Sequence, residues 1–201
     1  MSEKRTQRSD ITGVVLAGGK SSRMGCEKAL LTLDGDTFLA RVIRTLQEIF
    51  ESVIVIVDRP DRFPPLDVPV YADIFKNCGP LGGIHVALTV AKTNTLFVAS
   101  CDIPLLTPAV ISSIIKNPLQ GDVVVASTFG HVQPLCGCYA RSCLPALESH
   151  LKEGNLSVNE FLRSVRSSRI TVDGQREALT NINSRDDYAS LIEASGTKTI
   201  R

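Results

Sequence analysis

Short apolar runs alternate with amphipathic stretches along almost the whole chain. Val14-Val15-Leu16, "SVIVIV" (52–57), "TLFVASCD" (95–102) and "DVVVAS" (122–127) are short and mostly apolar, which predicts buried strands. Between the first two, Leu39, Val42, Ile43, Leu46, Ile49 and Phe50 recur at helical spacing over 37–50, with Asp36 as the predicted N-cap. After "GPLGG", Ile84, Ala87, Leu88 and Ala91 repeat that spacing. Thr107 followed by Pro108 predicts the cap and first residue of a third helix. Weaker signals fill the gaps. An extended piece turns at Asp34-Gly35, "VYAD" ends at Asp73, and residues 131–140 read as extended. Helices are expected at about 142–152 and 157–166, the second opening on the capping-box pattern Ser157-x-x-Glu160. "RITVD" reads as a late strand, and "TNIN" leads into a last helix near 185–194.

Strands alternating with helices imply right-handed βαβ units. The expected fold is therefore α/β: a Rossmann-like three-layer α/β/α sandwich, mostly parallel, with one antiparallel strand in the 131–140 region. The 201 residues suit one domain, since domains usually hold roughly 50–250 residues. Residues 11–194 are read as that domain, 1–10 as a disordered lead-in and 195–201 as a frayed tail.

The formal net charge is +1, which gives no support to long nucleic-acid binding and leaves any anion site to local clustering. No apolar run approaches the roughly 18 residues of a membrane span. The polar start "MSEKRTQRSD" lacks a secretory h-region, so a cytoplasmic location is expected. In that setting Cys26, Cys78, Cys101, Cys136, Cys138 and Cys143 read as free thiols. Cys136-x-Cys138 lacks a second ligand pair at zinc spacing.

Chemistry concentrates after the first strand, in "GVVLAGGKSSRMGCEKALL". Gly18 and Gly19 remove side chains where the backbone turns, and Lys20, Arg23 and Lys28 follow. Exposed amides with nearby cations suit a polyphosphate. The spacing is neither Walker A nor G-x-G-x-x-G. Asp102 ends a strand before Ile103-Pro104, where a carboxylate can serve as an oxygen ligand to Mg²⁺. Asp58 and Asp73 also stand at strand ends, where open α/β sheets bind ligands. Gly79, Gly82 and Gly83 at a helix start can admit a base or ribose close to the backbone. Gln133, Asn181 and Asn183 offer neutral amides suited to a heterocycle. His85, His131 and His150 stand apart from one another, and no G-x-S-x-G is present.

"LAGGKSSRMGCEK" (16–28), "GPLGGI" (79–84), "CDIP" (101–104), "QPL" (133–135) and "NINSRDDY" (181–188) together resemble the molybdenum cofactor guanylyltransferase family, within the wider nucleotidyltransferase group. The motifs are spread in family order over nearly the whole chain. The resemblance implies a fold of the nucleotide-diphospho-sugar transferase type. It also implies transfer of GMP from GTP to Mo-molybdopterin with Mg²⁺, for which Mn²⁺ can substitute, and release of pyrophosphate. Leu16, Ala17, Gly18 and Gly19 would then contact the nucleotide, as would Asp58, Asp73, Gly79, Gly82 and Asp102. Lys28 would bind the triphosphate and Arg23 would assist catalysis. Asp102 would hold the metal, and Gln133, Asn181 and Asn183 would face molybdopterin. Asp58 departs from the asparagine expected in close members, which puts its guanine contact in doubt. Molybdoenzyme-specific chaperones and other cofactor-biosynthesis proteins are the candidate partners.

Three alternatives stay open. The nearest is a CTP-dependent cytidylyltransferase acting on the same acceptor. Leu-Ala-Gly-Gly, with Gly19, favours guanine within this group. A sugar-phosphate nucleotidylyltransferase fits less well with "QPL" and "NIN". A non-enzymatic nucleotide-binding module has no need of Arg23, Lys28 and Asp102 together.

Overall fold

A computed structural model of the chain describes residues 7–18, 27–75, 77–116 and 120–196. Seven strands form one twisted sheet: β1 (Arg8–Leu16), β4 (Phe50–Val57), β5 (Val70–Ala72), β6 (Thr95–Ser100), β7 (Val123–Thr128), β8 (His131–Ala140) and β9 (Ser167–Thr171). Their order across the sheet is β5-β4-β1-β6-β8-β7-β9. β8 runs antiparallel to both β6 and β7, and the other pairings are parallel. The expected α/β architecture with one antiparallel strand over 131–140 is thus what forms. β2 (Thr32–Leu33) and β3 (Asp36–Thr37) make a separate small hairpin, turning through left-handed Asp34 (φ 54°) and Gly35 (φ 86°).

Residues 53–57 of β4 are all buried, because helices cover both faces of the sheet. On one face, α1 (Phe38–Gln47) and α3 (Pro108–Ile115) pack Val42, Leu46, Val110 and Ile111 against Val15, Val55 and Phe97. On the other, α2 (Gly79–Val90), α4 (Leu144–Glu153) and α5 (Val158–Ser164) pack Ile84, Leu88, Leu147 and Phe161 against Val14, Ile56 and Val98. Cys136 and Cys138 share one face of β8 in the first of these cores. The buried cysteines Cys101, Cys136, Cys138 and Cys143 are free thiols. The last helix, α6 (Arg185–Ser195), forms a third, smaller cluster with the hairpin through Ile182, Tyr188 and Leu33. Among the described residues no helix is long and apolar enough to cross a membrane.

Three details differ from the sequence reading. The cap of α1 is Thr37, whose Oγ1 accepts from Ala40 N at 3.1 Å. Asp36 is instead held by both guanidinium arms of Arg44, at 2.9 Å each. That helix also stops at Gln47, because Ile49 closes a turn onto Leu46 and Phe50 already belongs to β4. Finally, β1 begins at Arg8, inside the segment expected as a lead-in. Arg8 N donates to Ile49 O at 2.7 Å, and its guanidinium pairs with Asp10. Ser157 caps α5 through Glu160 N at 3.3 Å, while the full reciprocal box belongs to α6, between Ser184 and Asp187.

Candidate active site

The carboxyl ends of β1, β4, β5 and β6 all point to one edge of the sheet, and the strand order reverses between β1 and β6. Crevices at such switch points are where open α/β sheets take ligands. Here a cavity of about 420 Å³ opens, floored by Leu16, Ile56 and Leu135 and walled by the backbone of Gly18, Gly79 and Gly83. Asp58, just past β4, and Asp73, just past β5, supply its carboxylates. The size and the mixture of apolar floor with few polar groups suit a nucleoside.

Asp73 is built in from below. Its Oδ1 accepts from Phe75 N at 2.8 Å. Gly82 lies directly beneath it, where a Cβ would stand 3.0 Å from both carboxylate oxygens and 3.0 Å from Phe75 Cβ. Gly82 therefore seats Asp73, while Gly79, at φ +61°, and Gly83 from the same helix line the pocket. Burial pushes the Asp73 carboxyl above its ordinary value, the Phe75 amide opposes this, and the charge of Asp58 adds to it. Ala17 is buried in the core, and its N–H donates to Ile56 O, so it shapes the loop from within. Ser100, Leu135, Asn77 and Pro80 also line the cavity and escaped the sequence reading. Leu135 and Pro80 lay inside the "QPL" and "GPLGGI" motifs without being singled out.

A second cluster lies beyond β6. Lys28, in the helical turn Lys28–Leu30, donates to Asn183 Oδ1 at 2.7 Å. Asp102 O accepts from Ile182 N at 2.8 Å, which fastens "NIN" to the end of β6 across eighty residues of sequence. Ile182 is buried in the α6 cluster, and the Asp187 carboxylate takes the amides of Asn183 and Ser184 at 2.8 Å each. Burial pushes the Asp102 carboxyl up. A Ser100 hydrogen bond and the Lys28 charge pull it back. Asp102 Oδ1 and Asn181 Oδ1 are both buried acceptors with no hydrogen-bond partner. An acceptor-only oxygen buried without a donor fits a cation. Among the described residues no three acidic, His or Cys side chains gather as a metal cage. The fit is therefore to an ion held by Asp102 together with ligand oxygens, as Mg²⁺ is commonly held.

Gln133 Nε2 donates to Leu179 O at 3.1 Å, anchoring the chain that leads to "NIN". His85 sets its ring edge against Phe75 at 4.6 Å, with Nε2 3.6 Å from Glu148 and Nδ1 buried without a partner. It therefore stands behind the Asp73 turn. Burial pushes the Cys101 thiol up to about 12, so it is no nucleophile at neutral pH. Gly19 and Arg23, with the rest of the loop to Cys26, lie outside the described residues.

A nucleoside pocket beside a lysine and an unsatisfied carboxylate, on an open α/β sheet, defines a nucleotidyltransferase. The comparisons with known proteins narrow this. Residues 13–170 match the family model described as the MobA-like NTP transferase domain, and the chain belongs to that family. A relative from Carboxydothermus hydrogenoformans, named a probable molybdenum cofactor guanylyltransferase, is 34% identical over 94% of this chain and 98% of its own length. The molybdenum cofactor guanylyltransferase of Desulfosudis oleivorans is 32% identical over 88% of this chain and 92% of its own. Among solved structures, molybdopterin-guanine dinucleotide biosynthesis protein A of Archaeoglobus fulgidus superposes with a TM-score of 0.78 at 22% identity, covering 92% and 98% of the two chains. A Mycobacterium tuberculosis protein in complex with manganese does so with a TM-score of 0.68 at 21% identity, covering 92% and 100%. Both likenesses concern the fold.

Proposed function

We propose that this chain transfers GMP from GTP to the phosphate of Mo-molybdopterin, forming the guanine dinucleotide cofactor and releasing pyrophosphate. The observation that carries the reading is the pairing, at one sheet edge, of a nucleoside pocket with the Lys28–Asp102–Asn183 cluster. The names of the relatives support the nucleotide and the acceptor.

The acceptor phosphate needs little activation. A phosphate monoester has its second pKa at about 6 and is largely dianionic at neutral pH. One of its oxygens attacks the α-phosphorus and forms a P–O–P link. The bond from the α-phosphorus to the bridging oxygen breaks, and pyrophosphate leaves with that electron pair. No general base is required, consistent with the lack of a catalytic histidine in the site. The chain's task is to hold two anions together. Leu16, Ile56 and Leu135 hold the base and ribose. Asp58 and Asp73 accept hydrogen bonds, which suits guanine's adjacent ring N–H and amino donors. Lys28 offsets charge on the triphosphate, joined in this reading by Arg23. Asp102 would hold a divalent cation, Mg²⁺ with Mn²⁺ as substitute, which supplies electrophilic stabilisation of the phosphoryl oxygens. Asn181 and Asn183 would face the acceptor. Chaperones that receive the product, and a cytoplasmic location where GTP is abundant, belong to the same reading.

The test is pyrophosphate release from GTP with a divalent cation and either Mo-molybdopterin or a sugar 1-phosphate as acceptor. Release with the first and none with the second is expected. Release only with the sugar phosphate would overturn the reading.

A further inference from the structure

Beyond the two clusters, the same sheet edge carries a third feature that neither of them uses. Two large apolar side chains are prominently exposed among the described residues, Ile74 and Phe129. Phe129 is 62% exposed at the tip of the β7–β8 turn, and its backbone is left-handed, at φ 47°. That conformation is strained for a bulky residue, and glycine or asparagine takes it far more readily. The Arg176 guanidinium lies over the ring, 5.7 Å from its centroid. Thr128, the preceding residue, buries a hydroxyl that has no hydrogen-bond partner. A strained, exposed aromatic with a cation over it is a poor choice for a plain turn and a good one for stacking a flat ring.

Its position fits the acceptor. Ala99 pairs with Cys136 across β6–β8, and Ala126 with Gln133 across β8–β7. β7 carries Phe129 just past its end and stands two strands across the sheet from β6, whose end carries Asp102. One run of chain links the two. Val172 N donates to Ser127 O, Arg176 covers Phe129, Leu179 O accepts from Gln133, and Ile182 N donates to Asp102 O. The segment that covers Phe129 is thus the one that fastens the end of β6 at Asp102, where the phosphate of a fused-heterocycle acceptor would stand in the proposed reading.

We infer that Phe129 and Arg176 form the stacking platform for the ring system of the acceptor, which rests on the reading of that acceptor as molybdopterin. The strain at Phe129 is then kept for binding, so relieving it should separate stability from function. The experiment compares wild type, Phe129→Asn and Phe129→Tyr. It measures Mo-molybdopterin binding by equilibrium dialysis without GTP, direct GTP affinity, the acceptor KM and the thermal melt. Stacking of a heterocycle on an aromatic side chain is commonly worth about tenfold or more in affinity. Phe129→Asn should weaken acceptor binding and raise its KM by about that factor. GTP affinity should stay within twofold, and the melt should be equal or higher. Phe129→Tyr should bind the acceptor as wild type does. Equal dialysis binding by wild type and a well-folded Phe129→Asn would overturn the platform. If wild type binds Mo-molybdopterin through Phe129 but transfers no GMP to it, the platform stands and the transfer reading falls.

Discussion

Asp73 and Asp102 are both partly buried at the same sheet edge, and burial pushes both carboxyls above the usual range, yet their neighbours are opposite in sign. Asp73 has another carboxylate, Asp58, beside it, and a backbone amide already on one oxygen. Asp102 has the Lys28 cation and one buried oxygen with no partner. The first environment asks for hydrogen-bond donors, such as a purine edge provides. The second asks for a cation, with Lys28 ready to face phosphate. In the proposed reading the two strand ends serve as binding pocket and reaction centre, because different chain segments are folded against them.

This difference can be broken in order of size. Asp102→Asn removes the charge that would hold the cation, and transfer should fall by roughly 10³-fold. GTP binding measured without metal should change little, and the metal-free melt should be equal or slightly higher. A variant that melts lower but turns over normally across a Mg²⁺ titration would remove Asp102 from the chemistry. Lys28→Ala should lower turnover by roughly 10²-fold with the fold intact, as read from steady-state rates beside a circular dichroism spectrum. Near-normal turnover would sink its role.

The pocket side should respond differently. Gly82→Ala puts a methyl against the Asp73 carboxylate and Phe75, so GTP affinity should drop about tenfold with kcat nearly kept. A fall in kcat at unchanged GTP affinity would contradict the separation. The smallest effect concerns pH. A carboxyl whose folded value is raised contributes stability fully below about pH 4, and loses it as pH rises through the folded value. At pH 7 the ionised Asp73 is therefore a cost in the nucleotide-free protein. Asp73→Asn keeps the oxygen that accepts from Phe75 N and should melt up to about 2–4 °C higher there, the gap closing toward pH 4. Equal melting of the two proteins at pH 7 would show that burial of Asp73 is not costly.

Much of this was legible in the sequence, for identifiable reasons. β-branched runs and periodic helices report burial, so a βαβ pattern with one antiparallel strand could be expected, while the order of the strands could not. Asp58, Asp73 and Asp102 could be expected at strand ends because each follows a short apolar run, and the structure places all three just past β4, β5 and β6. Asp36 misled because Thr37, one residue on, also caps well, and the deciding contact was Arg44 two turns away. Gly82 read as a ligand contact because only the fold shows the carboxylate above it. The pairing of Lys28 with Asn183, 155 residues apart, and the hold of Ile182 on Asp102 depend on α6 and the hairpin packing together. No local pattern reports that.

The central claim is that the pocket selects guanine and the adjacent cluster joins GMP to molybdopterin. Its most direct test is a competition: the protein, Mo-molybdopterin and a divalent cation with GTP, CTP, ATP and UTP at equal concentration, the dinucleotide product identified by mass. Guanine dinucleotide with one pyrophosphate released per product is the predicted result. Cytosine dinucleotide as the main product, or no dinucleotide from any of the four, would contradict it.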